Sequence, residues 1–113
     1  MHVVIFEYAF RPDADRDAYS GLSRRMHEVA QSDERFGYLG GASAVREDGS
    51  VIAVESFAHA EGMDRWRRDP QHREAQRRGR DEFYAWYRTR VCAVETDRTF
   101  RAGAEDPAPL LQR

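Results

Sequence analysis

Four sets of side chains in this sequence could do chemistry: a tryptophan closely followed by a histidine, two glutamates in apolar segments, several tyrosines, and a run of arginines. Trp66 and His72 flank Asp69-Pro70. An imidazole that titrates near neutrality can deprotonate a phenol. His72 could equally be a satisfied histidine near a helix start, bonded to Asp69 or to a backbone carbonyl. Trp66 could stack on a planar substrate or anchor a short helix in the core. Glu7 and Glu55 sit among apolar residues, where a buried carboxylate must find a partner or its pKa rises. Pairing with arginine and service as an active-site base are both open to them. Tyr38, Tyr84 and Tyr87 could bond a substrate carbonyl or hydroxyl, or be structural. His27 follows Met26 and could turn toward a pocket; His2 and His59 read as surface residues.

Composition removes several classes of function. The formal net charge of −2 gives no reason to expect nucleic acid or an anionic membrane as partner. All 18 basic residues are Arg, so Schiff-base lysine chemistry is excluded. Arg65, Arg67, Arg68, Arg73, Arg77, Arg78 and Arg80 are interleaved with Asp64, Asp69, Glu74 and Asp81, which reads as a solvated, salt-bridged helix face. Cys92 is the only cysteine, which fits a reducing compartment and a small buried hydrophobe. No phosphate-binding glycine loop, CxxC pair or HExxH motif occurs. No leader precedes the first apolar segment and no apolar run is long enough to span a bilayer, so the cytoplasm is the expected location.

These residues need elements to position them. His2–Phe10 is β-branched and aromatic and reads as a strand ended by Pro12, with Asp13 as cap of the helix that follows. Ala18, Leu22, Met26, Val29 and Ala30 mark the helix stripe, with Tyr19 beside it. Phe36–Val45 reads as a strand with a bulge at Gly40–Gly41, and Glu47-Asp48-Gly49 as a hairpin turn into the strand Ser50–Ala58. A short helix is expected over Ala60–Arg68, and a second, capped by Asp69 with Pro70 at its first position, runs to about Trp86. Its stripe would be His72, Ala75, Gly79, Phe83 and Trp86. A last strand contains Val91–Val94. The order β-α-β-β-α-α-β predicts one α+β domain over residues 1–100, a ferredoxin-like sandwich, with 101–113 as a tail that is disordered or packed on a partner subunit.

The helices of such a sandwich cover one sheet face, and the second face should then be polar. The first, third and fourth strands instead read as apolar on both faces. Stacking that surface on a second copy would remove a large patch from water, so a homodimer is expected.

The segment Val54–Tyr87 carries a resemblance: E-S-F at a strand end, helix Trp66, then Asp69-Pro70-x-His72, Ala75-Gln76-x-x-Gly79-Arg80, and the aromatics Phe83, Tyr84 and Tyr87. It resembles the antibiotic biosynthesis monooxygenase family of dimeric α/β barrels. The resemblance implies a homodimer with a pocket between each sheet and its helices. It also implies oxidation of an electron-rich, polyketide-like aromatic by O2 with no metal, flavin or other cofactor. On that basis the expected catalytic residues are His72, Trp66 and Glu55. The expected substrate-binding residues are Tyr38, Phe57, Met63, Phe83, Tyr84, Tyr87 and His27. A non-oxidative cyclase or isomerase on the same pocket, or a non-catalytic small-molecule-binding dimer, are the alternatives. Two departures stand out. The quinone-forming members use a pocket asparagine, and this chain has none. Where the haem-degrading members carry a ligand histidine, this chain has Gln76, which sets haem degradation last.

Overall fold

Strand β1 (His2–Phe10), helix α1 (Arg16–Ser32), strands β2 (Tyr38–Val45) and β3 (Val51–Phe57), helices α2 (Ala60–Arg68) and α3 (Pro70–Arg78) and strand β4 (Tyr84–Ala93) follow one another along the chain. The computed structural model describes residues 1–103, so most of the expected tail, 104–113, lies outside the described residues. All strand pairs are antiparallel, in the order β2-β3-β1-β4. This is the ferredoxin-like α+β arrangement. The most strongly β-forming segments, β1 and β3, take the centre, and the glycine-rich β2 takes an edge. Among the described residues no helix is long and apolar enough to cross a membrane.

Local chemistry explains the boundaries. The cap of α1 is Asp15, whose carboxylate accepts from the Ala18 amide at 3.0 Å. Asp13 is left in the turn closed by Ala14 N–H on the Arg11 carbonyl, and does not cap. Asp69 caps α3 through the Gln71 and His72 amides, with Pro70 in the first turn, as expected. The strand register shifts between Tyr38 and Gly40, at the edge of the expected bulge.

The expected long last helix is not formed. It stops at Arg78, makes one wide π-type turn over Gly79–Phe83, and becomes β4 at Tyr84. Tyr84, Trp86 and Tyr87 are therefore strand residues, and Trp86 leaves the helix stripe. Two features force the change. A side chain at Gly79 would collide with the Tyr84 ring, so the chain can fold back tightly only with glycine there. Arg11 supplies the donors that the helix end lacks. Its guanidinium bonds the carbonyls of Asp81 at 2.7 Å and Tyr84 at 3.0 Å, and its amide bonds that of Phe83 at 2.8 Å.

The core lies between the helices and the inner sheet face, around Val29, Ala30, Phe36, Phe57, Met63 and Trp66. The outer face carries Val3, Ile5, Ile52 and Val54 by strand alternation and register. It is not uniformly apolar. Strand β4 places Arg88 opposite Glu7, and Arg90 opposite Ile5, on this face. The Glu7 carboxylate is clamped by Arg46 at 2.7 Å and Arg90 at 2.6 Å. Those bonds, that from Arg46 first, hold it below the usual carboxylate range. The expectation of two apolar surfaces therefore holds for β3 and fails for β4, where Arg88 and Arg90 lie between Trp86 and Cys92 on the outer face.

Candidate functional site

A cavity of about 780 Å³ separates the inner sheet face from the helices. That volume suits a ligand of several fused rings. Val4 and Phe6 of β1, Leu22 and Met26 of α1, and Ala75 of α3 supply apolar wall. Three polar groupings interrupt it.

The first is centred on Glu55. Strand alternation aims Glu55 inward with Ala53 and Phe57. Its Oε2 accepts from the Tyr38 hydroxyl at 2.5 Å, and its Oε1 lies 3.1 Å from His27 Nε2. His27 Nδ1 lies 2.8 Å from the Ser23 carbonyl, one turn back on α1. A carbonyl can only accept, so Nδ1 carries a hydrogen. Nε2 is left facing the Glu55 carboxyl group across the cavity wall. Burial, and then the Glu55 carboxylate, push the Tyr38 phenol well above its usual range. Gly41 faces Glu55 across the β2–β3 pair, and a Cβ there would collide with the carboxylate. The bare α-carbon of Gly41 is the seat of the carboxylate.

The second grouping is Trp66 and His72, stacked with ring centres 4.1 Å apart and planes 21° apart. Burial pulls the imidazole down to about 4, against the opposing influence of Asp69 and the Trp66 and Arg67 carbonyls. His72 is therefore neutral near pH 7, with its Nδ1 3.4 Å from the Gln76 amide nitrogen. These contacts fit the satisfied histidine of the two expected readings. Trp66 belongs to the core and to the cavity wall at once.

The third is a group of phenols. The Tyr19 and Tyr84 hydroxyls are 3.0 Å apart, and the Tyr8 ring packs against both. Burial raises Tyr8 and Tyr19 far above the normal phenol range and Tyr84 to about 12, so all three stay protonated as donors. Tyr8 and Tyr19 were not among the expected site residues. Both were legible: Tyr8 shares the inward face with Val4 and Phe6, and Tyr19 lies one turn before Leu22 and Ser23 and two before Met26.

Among curated proteins the chain is similar to YqjZ of Bacillus subtilis, an uncharacterized protein, at 30% identity over 88 residues, covering 78% of this chain and 75% of YqjZ. No family model matches the chain. Among solved structures, Rv0793 from Mycobacterium tuberculosis superposes with a TM-score of 0.72 at 19% identity, covering 87% of this chain and 98% of its own. An antibiotic biosynthesis monooxygenase superposes at 0.68 with 13% identity, over 85% of this chain and 100% of that one. The chain belongs to the YqjZ family and has the antibiotic biosynthesis monooxygenase fold. The resemblance carried by Val54–Tyr87 is met at the level of that fold. SnoaB from Streptomyces nogalater, a cofactor-independent oxygenase, shares it too, with a TM-score of 0.69 at 8% identity over 85% of this chain and 94% of SnoaB.

Within this monooxygenase fold the cavity gathers Trp66, His72, Glu55, His27, Tyr38, Phe57, Tyr84 and Tyr87 of the expected residues. Met63 and Phe83 are not on its wall. Met63, 4% exposed, is spent in the core cluster with Phe36 and Trp66. Phe83, 1% exposed, lies in the π-type turn under the Tyr19 ring and the Arg78 guanidinium. Cys92 pairs with Val3 on the outer face, away from the cavity. Among the described residues no group of three or more His, Cys, Asp or Glu side chains is placed to hold a metal ion.

Proposed function

We propose that this YqjZ-family protein is a cofactor-independent monooxygenase that oxidises an electron-rich, polyketide-like aromatic with O2, acting as a homodimer. The observation that carries the reading is a carboxylate, held by a tyrosine and a histidine, on the wall of an aromatic-lined cavity. In the imidazolium form of the His27 pair, Glu55 is a carboxylate with lone pairs to spare. It takes a proton from a substrate methylene beside a carbonyl, leaving an enolate. The neutral Tyr19 and Tyr84 hydroxyls suit donation to the enolate oxygen. The enolate gives one electron to O2, and the radical pair joins in a C–O bond. The peroxide receives the proton from Glu55. Glu55 then removes the second C–H proton, and the O–O bond breaks to give a carbonyl and water. One oxygen atom stays on the substrate, the other leaves as water, and the methylene's two hydrogens leave with it. Trp66, stiffened by its stack on His72, offers a flat surface for the ring.

The homodimer is supported by the outer sheet face, where Val54 and Trp86 stay 37% and 46% exposed. Covering that apolar area is worth about 25 cal/mol per Å².

Proton transfer between Glu55 and the phenols needs no oxygen, which favours a cyclase or isomerase as the second reading. Oxygen uptake with anthrone-type phenols separates the two. Uptake well above the buffer rate, with one water per O2, is expected. Turnover that persists under nitrogen supports the second reading, and uptake no faster than in buffer for any such substrate overturns the first.

A further inference from the structure

The charges on the cavity wall do not balance. Among the described residues Glu55 is the one carboxylate on the wall, engaged by His27 and Tyr38. His72 is neutral near pH 7 and the buried phenols keep their protons. Two further side chains on the wall carry charge: Arg67, at the end of α2, and Arg80, in the turn after α3. Arg67 has one loose contact, to Asp64 at 3.9 Å. Arg80 makes no ion pair among the described residues; its carbonyl is bonded by Arg11, which fixes the backbone that carries it. Neighbouring helix arginines differ: Arg77 is bonded to Glu74 and Asp81, and Arg78 to Glu82. The two arginines of the cavity wall are thus less committed than their neighbours, and both come from the helix side, whereas Glu55 comes from the sheet.

We propose that the substrate is an anion, an aromatic carrying a carboxylate that a helix-side arginine, Arg67 or Arg80, takes while its reacting ring lies toward Glu55. The inference rests on the cavity being the substrate site. A planar guanidinium meets a carboxylate with two parallel hydrogen bonds, which a neutral ring substituent cannot match. The geometry also fixes polarity: a carboxylate placed against Glu55 would meet like charge, so the acid end is turned to the arginines and the opposite end is presented to the base.

Equilibrium binding under nitrogen tests this without asking for oxygenation. The probes are 6-hydroxy-2-naphthoate and its neutral carboxamide, followed by calorimetry on the full chain. The acid should bind about tenfold more tightly than the amide. Arg67→Gln or Arg80→Gln should reduce that ratio, and the double variant should bring it near one, the acid losing more affinity than the amide. Both arginines are exposed, and an unaltered melting temperature checks that the variants fold. Equal binding of acid and amide, no binding of either, or a preference that survives the double variant overturns the proposal. A carboxylate preference in a protein that consumes no oxygen would sustain it while sinking the monooxygenase reading.

Discussion

The two faces of the sheet treat titratable groups in opposite ways. Around the inner face burial drives titratable groups toward the neutral form: Tyr8, Tyr19, Tyr38 and Tyr84 upward and His72 downward. On the outer face Glu7 shifts toward the charged form, because Arg46 and Arg90 bond both its oxygens. Glu7 and Glu55 sit in adjacent central strands and read alike in the sequence. Partner chemistry separates them: Glu7 is bonded by two permanent cations, whereas Glu55 is bonded by a phenol and lies against an imidazole. The inner face is therefore where acid–base work can be done, and the outer face is where charge is locked into structure.

The largest expected effect tests that division at its centre. Glu55→Gln should lower the oxygenation rate by about 10²–10⁴-fold, the usual contribution of a positioned base. Glu7→Gln should leave that rate unchanged. Steady-state kinetics on the two variants breaks the comparison if they fall together.

Next in size is Gly41→Ala. The added methyl would occupy the seat of the Glu55 carboxylate. Displacing a catalytic group by about 1 Å can cost on the order of a hundredfold, so kcat should fall by about that factor with KM little changed. Adding Glu55→Asp, which shortens the arm, should recover part of the loss. The methyl also meets the Val54 carbonyl, so the melting temperature falls in either case, and a purely structural role for Gly41 would show as no recovery of kcat from the second change.

This seat marks the limit of what the sequence discloses. The element order, the Asp69-Pro70 cap and the bulge near Gly40 follow from local propensities, and all are found where the residues place them. Period-2 alternation in β1 and β3 is enough to put Glu7 and Glu55 on opposite faces once the register is known. The end of α3 was not legible, because His72, Ala75, Gly79, Phe83 and Trp86 satisfy a helical period while the termination depends on Arg11, far away in the chain. Nor was the pairing of Glu55 with His27, which joins residues 28 apart in sequence through the packing of a helix on the sheet.

His72 sharpens the comparison by a smaller amount. Its folded pKa of about 4 lies below the ordinary value of 6.5, so between these the unfolded chain binds more protons than the folded one. Stability should accordingly fall as the pH drops from about 6.5 toward 4, by on the order of 2–3 kcal/mol in all. Urea denaturation at a series of pH values should show this slope in the wild type and lose it in His72→Gln. An imidazole resonance of His72 that titrates near 6.5 would remove the neutral inner face from the argument.

The smallest effect belongs to Glu7 and runs on a different pH scale. Its folded pKa is depressed, so its contribution is fully present above the unfolded carboxylate range and is lost as pH falls through the lower folded value. Glu7→Gln leaves Arg46 and Arg90 facing each other without their anion. The variant should melt below the wild type at neutral pH, and the gap should close in acid, where the wild-type carboxyl is protonated too. Added salt should narrow the gap at neutral pH, since Arg46 and Arg90 are partly solvated at 39% and 45% exposure. A gap that persists unchanged in acid would mean that Glu7 acts through its shape in the sheet, and that the outer face owes nothing to charge.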